Sequence, residues 1–195
     1  FDVYDELYRH LDEQLDFNIQ QARAEDVVQA ALQWFRSTTG KPRFLWVHVY
    51  DPHAPYEPPD PYRQKYADDP YLGEVAYADA SLAPLLEAVR SVEPKPLLVV
   101  TGDHGEARGD HGELTHGLFC YEATLHIPLM VWNPDLVKPG RIAVPARHVD
   151  ILPTMLDALG VAKPPELKGQ TLLDPKRVEG ESYFEALSAS FNRGW

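Results

Sequence analysis

Apolar positions along the chain recur in two rhythms, and those rhythms predict the elements. From Glu25 to Phe35 the residues Val27, Val28, Ala31, Leu32 and Phe35 fall at helical spacing, with Glu25 and Asp26 placed to favour a helix N-terminus. Gly40 and Pro42 then break the chain. Phe44 to Tyr50 is short, aromatic and β-branched, which predicts a buried strand. It runs into a loop stiffened by Pro52, Pro55, Pro58 and Pro59. Val75, Ala78, Leu82, Leu85, Leu86 and Val89 mark one face of a second helix. Leu97 to Thr101 predicts a core strand, Ile127 to Trp132 another, and His148 to Leu159 a helix that Gly160 stops at the C′ position.

Helix, strand, loop, helix, strand, loop, strand, helix is an alternation that predicts a layered α/β fold with a mostly parallel sheet. In such sheets ligands bind beyond the carboxyl ends of strands. The loops at 51–59 and 102–117 both leave predicted strand ends, so they are expected to open on one rim. Three regions are expected: a polar arm or surface helix over 1–23, a partial α/β domain over 24–173, and a tail over 174–195.

Composition narrows the function classes. The 195 residues carry 30 acidic against 18 basic side chains, a net charge of −12. Nucleic-acid surfaces need clustered Lys and Arg, so no nucleic-acid partner is expected. No apolar run approaches the roughly 20 residues of a membrane span. The start at Phe1 has neither the basic nor the apolar stretch of a signal peptide, and the chain is read as cut from something longer. The single cysteine, Cys120, excludes an internal disulfide and, in its apolar setting, is expected to be buried.

Candidate chemistry sits in the two loops. Thr101-Gly102-Asp103-His104-Gly105-Glu106 ends an apolar strand in adjacent carboxylate and imidazole groups, both metal ligands. A plain Asp-His-Gly turn is the alternative. In Asp51-Pro52-His53-Ala54-Pro55-Tyr56 the prolines fix the backbone around His53, so its ring is aimed at an oxyanion or a leaving group. A proline-rich surface turn is the alternative there.

Five segments in order resemble the second half of sulfatases, members of the alkaline phosphatase superfamily. They are Asp-Pro-His-x-Pro-Tyr-x-Pro-Pro at 51–59, Thr-Gly-Asp-His-Gly-Glu at 101–106, Glu-Leu-Thr-His-Gly at 113–117, His-Ile-Pro-Leu at 126–129 and Val-Asp-Ile-Leu-Pro-Thr-Met-Leu at 149–156. The resemblance covers about 24–173 and implies an alkaline phosphatase/sulfatase-like sandwich truncated at its N-terminus. It implies that Asp103 and His104 are metal ligands, although many sulfatases have Asn at the second place. The cation implied is Ca²⁺ first, with Mg²⁺, Mn²⁺ or Zn²⁺ as alternatives. His53 then contacts the sulfate and helps the leaving group, and His116 contacts a sulfate oxygen. His111, Glu106 and Asp51 are candidate supports behind them, while His48 is expected in the core or behind the site and His126 and His148 are expected to be structural.

No Cys or Ser heads the Cys/Ser-x-Pro-x-Arg pattern whose first residue becomes the family's formylglycine nucleophile. Formylglycine is therefore expected only in a missing N-terminal part, and the chain is expected to be inactive alone. The substrate implied is a sulfuric ester. Two other readings stand beside it: a phosphodiesterase or phospho-headgroup transferase of the same superfamily, and a non-catalytic truncated binding module that self-associates through an exposed sheet.

Overall fold

A computed structural model describes residues 1–5 and 22–185. Most of the expected arm, and the tail beyond 185, lie outside the described residues. The chain divides into two compact units, Phe1–Val92 and Glu93–Trp195.

The first unit is built on α1 (Ala24–Ser37), α2 (Tyr62–Lys65) and α3 (Pro70–Arg90). Val28, Ala31, Leu32 and Phe35 of α1 meet Leu85 and Val89 of α3 to form its core. This is the stripe expected for 25–35. Asp51 accepts from the Ala24 backbone N–H at 2.9 Å, and the Tyr77 hydroxyl accepts from that of Glu25 at 3.3 Å. The helix start, which lacks a side-chain cap from Arg23, is thus satisfied from remote residues. At its other end Arg43 donates to the carbonyls of Phe35 and Thr38 at 2.7 and 3.0 Å, with its guanidinium over the Phe35 ring. Asp69 caps α3 and Pro70 opens it.

Phe44–Tyr50 differs from the expected buried strand. It lies extended but joins no ladder among the described residues. Leu45 and Val47 pack on the helical core while Phe44, Trp46 (72% exposed) and His48 face outward. An apolar run shows that a segment suits a strand; the ladder itself requires a neighbouring backbone. His48 is accordingly exposed and not in the core.

The second unit pairs β1 (Leu98–Thr101) with β2 (Leu129–Trp132) in register Leu98↔Trp132 and Thr101↔Leu129. The pairing is antiparallel, where the alternation of elements pointed to a mostly parallel sheet. The segment between them holds one short helix, α4 (Glu122–Leu125), and no long crossover helix to carry the chain back to a parallel start. Pro128 has no N–H for a ladder, and β2 begins at the next residue. A 3₁₀ turn, His148–Asp150, precedes α5 (Ile151–Ala158), so the expected helix is split at its start. Gly160 does stop it: the Gly160 N–H donates to Asp157 and the Val161 N–H to Leu156, a Schellman closure at a left-handed glycine. Cys120 is exposed, contrary to expectation. It lies beside Leu118, Phe119 and Tyr121, all exposed too. No described helix is long and apolar enough to cross a membrane.

Candidate active site

In the first unit the proline loop holds His53 through its own backbone and its neighbours. The ring Nδ1–H donates to the Ala54 carbonyl at 2.6 Å, so in the neutral ring Nε2 accepts from the Tyr50 hydroxyl at 3.2 Å. The two rings sit 4.4 Å apart. Beneath the loop, Glu74 of α3 accepts from the backbone N–H of His53 at 3.1 Å and of Glu57 at 2.7 Å. Glu74 is only 4% exposed. Sequence reasoning missed it, although a signal existed: Glu74 is in helical phase with Ala78, Leu82 and Leu85. An acidic residue on an apolar stripe needs a polar partner.

Asp51 accepts from Ala24 at the start of α1, as described above. Burial raises the carboxyl pKa of both Asp51 and Glu74, against the opposing pull of backbone N–H donors. A raised folded pKa means the native state holds its proton longer than the unfolded chain does. The stability this confers is complete below the ordinary carboxylate range, roughly pH 4, and is lost as pH rises through the raised values. Glu74→Gln, which cannot ionise, should therefore gain on the native sequence as pH rises from about 4 to 7. Urea midpoints measured across that range test this; a difference that stays constant with pH contradicts it.

In the second unit β1 delivers the Asp-His pair. Gly102 donates to the Pro128 carbonyl, and its own carbonyl lies 2.8 Å from His148 Nε2. His148 thereby steadies the turn just before Asp103. The His104 Nδ1–H donates to the Gly105 carbonyl at 2.9 Å, which leaves the lone pair of the neutral ring on Nε2. That nitrogen lies 3.7 Å from Asp103 Oδ2. Two donors held at about 2.3–2.6 Å on adjacent positions around a hard cation are roughly 3.3–3.7 Å apart. The pair fits one cation. Among the described residues no group of three or more His, Cys, Asp or Glu is arranged to hold a metal, so these two are at most part of a shell.

His116 stacks on His104 with ring centroids 3.9 Å apart. Its Nδ1–H faces Glu106 Oε2 at 3.4 Å, and the Glu106 side chain is 6% exposed. Glu106 is thus a support for His116. Glu113, which sequence reasoning passed over, is buried and accepts from the Leu118 N–H at 2.6 Å. One glutamate thus bonds the His116 ring and the other ties the backbone two residues beyond it. His111 sits at φ +51, its ring stacked on Tyr121 at 3.7 Å and its Nδ1 3.1 Å from Asp110. Arg108 shares this left-handed backbone at φ +53. Non-glycine residues held there store strain, a common mark of functional loops.

The sulfatase family model matches residues 1–161. The chain belongs to the sulfatase family. Among the relatives of this chain, arylsulfatase K of Mus musculus is 34% identical over 105 residues, which is 53% of this chain and 19% of that protein. The uncharacterized sulfatase YidJ of Escherichia coli (strain K12) is 28% identical over 178 residues, covering 70% of this chain and 36% of that one. The chain thus spans well under half the length of these relatives. The crystal structure of the yidJ protein from Bacteroides fragilis matches 80% of this chain and 41% of its own, with a TM-score of 0.68 at 24% identity. That likeness gives the chain an α/β fold of the same kind as the yidJ protein's.

Proposed function

We propose that this chain forms part of the active site of a hydrolase that cleaves sulfuric esters with the help of a divalent cation. The observation that carries the reading is the Asp103–His104 pair: two donors at cation spacing, with the His104 ring fixed in the tautomer a metal requires. Asp103 and His104 hold the ion, Ca²⁺ in the first instance, with Mg²⁺, Mn²⁺ or Zn²⁺ as alternatives. When bound it polarises a sulfate oxygen and offsets the charge that develops there. His116, backed by Glu106, adds a hydrogen-bond donor to another sulfate oxygen. His53 contacts the sulfate and helps the leaving group; to hand a proton to the departing oxygen the ring must carry one on Nε2, in place of accepting there from Tyr50. Asp51 and His111 shape the loops behind them. The finer architecture goes with the same reading: a mostly parallel sheet in a domain spanning about 24–173.

The covalent step needs a nucleophile, and no residue in this sequence matches the formylglycine pattern. The 195-residue chain by itself should therefore turn over no aryl sulfate. It should hold Ca²⁺ only weakly, with Kd on the order of millimolar as for sites poor in charged ligands. Calorimetry and an aryl sulfate assay test both; micromolar Ca²⁺ affinity overturns the partial cation shell, and steady turnover overturns the expectation that the chain is inactive alone. In the full natural protein, Asp103→Ala and His116→Ala should each lower kcat by about 10²-fold or more. Aryl phosphate turnover well above aryl sulfate turnover there would assign the protein to phosphoryl transfer instead.

A further inference from the structure

We infer that Gly73 and Glu74 of α3 form a seat that positions His53, making Glu74 a positioning residue for sulfate recognition; this rests on the proposed contact between His53 and the sulfate group. Two observations converge on the seat. A single buried carboxylate takes both the His53 and the Glu57 backbone N–H, one on each oxygen, and so clamps the loop on both sides of the Ala54–Tyr56 segment. One residue earlier, a Cβ on Gly73 would lie 2.8 Å from Pro58 Cγ and 3.3 Å from Tyr66 Cβ. Only glycine lets the loop lie this close to the helix.

The seat belongs to a rigid element. Tyr77, one turn along α3 from Gly73, bonds the start of α1, and Leu85 and Val89 further on anchor the helix in the core. His53 therefore inherits the position of a packed helix and not that of a surface loop. Its ring is then oriented locally by Ala54 and Tyr50. A carboxylate is suited to the task because it offers two acceptors and no donor. A glutamine at 74 can accept from one of the two N–H groups, while its own NH₂ opposes the other.

The test follows the His53 ring and amide signals by NMR in the full chain while inorganic sulfate is titrated, for the native sequence, Glu74→Gln, Glu74→Ala and His53→Ala. In the native chain, sulfate should shift the His53 signals along a saturating curve. His53→Ala should abolish the corresponding affinity. Glu74→Gln, folded as judged by a native far-ultraviolet spectrum, should weaken sulfate by roughly three- to tenfold, the scale of one lost hydrogen bond. Glu74→Ala should weaken it further. If the native His53 signals ignore sulfate, the reading of His53 fails and the seat loses its purpose. If His53 responds and His53→Ala weakens binding while Glu74→Gln binds sulfate as the native chain does, the sulfate contact stands and the positioning role is overturned.

Discussion

Asp150→Ala lowers the stability of this protein by about 3–5 kcal/mol, the cost of breaking a buried ion pair from one side. Asp150 is 0% exposed. Its Oδ2 accepts from the Arg147 backbone N–H at 3.0 Å, and its Oδ1 from the Arg147 guanidinium at 3.2 Å and the Gln170 N–H at 2.9 Å. Arg177, itself buried, lies 4.0 Å away and donates to the carbonyls of Val144 and Pro145. The Asp150 carbonyl takes the Thr154 hydroxyl, whose oxygen in turn accepts from the Leu172 N–H at 2.8 Å. One carboxylate thus joins the segments around 144–150 and 170–177. Alanine would leave Arg177 buried without its countercharge and the Gln170 N–H without an acceptor. Asp150→Asn keeps the shape and some of the acceptors, so it should cost less. Urea unfolding of the three proteins measures the order; a loss under about 1 kcal/mol for alanine contradicts the account.

Gly105→Ala has the second large effect, and it couples stability to the cation. The Gly105 N–H donates to the Thr124 carbonyl at 2.8 Å, and a Cβ at 105 would run into the carbonyl of Ala123. The obstacle is backbone, within α4. The Thr124 hydroxyl beside it is tied to the carbonyls of Phe119 and Tyr121, so the helix cannot easily give way. Overpacking costs about 1–3 kcal/mol, and a clash with fixed backbone belongs at the upper end. Because the Gly105 carbonyl accepts from His104 Nδ1, any shift also turns the His104 ring. Gly105→Ala should thus weaken the already low Ca²⁺ affinity as well as stability. Gly109→Ala is the matched control. It sits at φ +94 with nothing near its missing Cβ, so it should cost only about 1 kcal/mol of backbone strain and leave the cation alone. Equal effects on Ca²⁺ from both variants would refute the link.

These effects bear on how the family motifs are read. Of the segments that suggested a sulfatase, the one at 149–156 contains no candidate catalytic group. Asp150, Pro153 and Thr154 are all fully buried there, and Asp150 and Thr154 bond residues 170–177. Its residue types answer to folding. The segments at 51–59, 101–106 and 113–117 carry the histidines and carboxylates of the proposed chemistry. Even among these, Asp51 turns out to serve the start of α1.

What the sequence determined by itself is local. The apolar stripe of α1, that of α3 apart from the exposed Val75, the strand β1, the glycine that ends α5 and the Asp103–His104 pair all follow from spacing within a few residues, where helix and strand periods and left-handed turns are decided. The family likeness is also a matter of short motifs in order. The tertiary structure alone decided the rest. The antiparallel pairing of β1 with β2, the absence of ladder partners for Phe44–Tyr50 among the described residues and the exposure of Cys120 depend on what lies beside a segment. So do the buried tasks of Glu74, Glu113 and Asp150. Their partners lie from 3 to 27 residues away in sequence, and a carboxylate keeps its charge in a core only where the folded backbone brings donors to it.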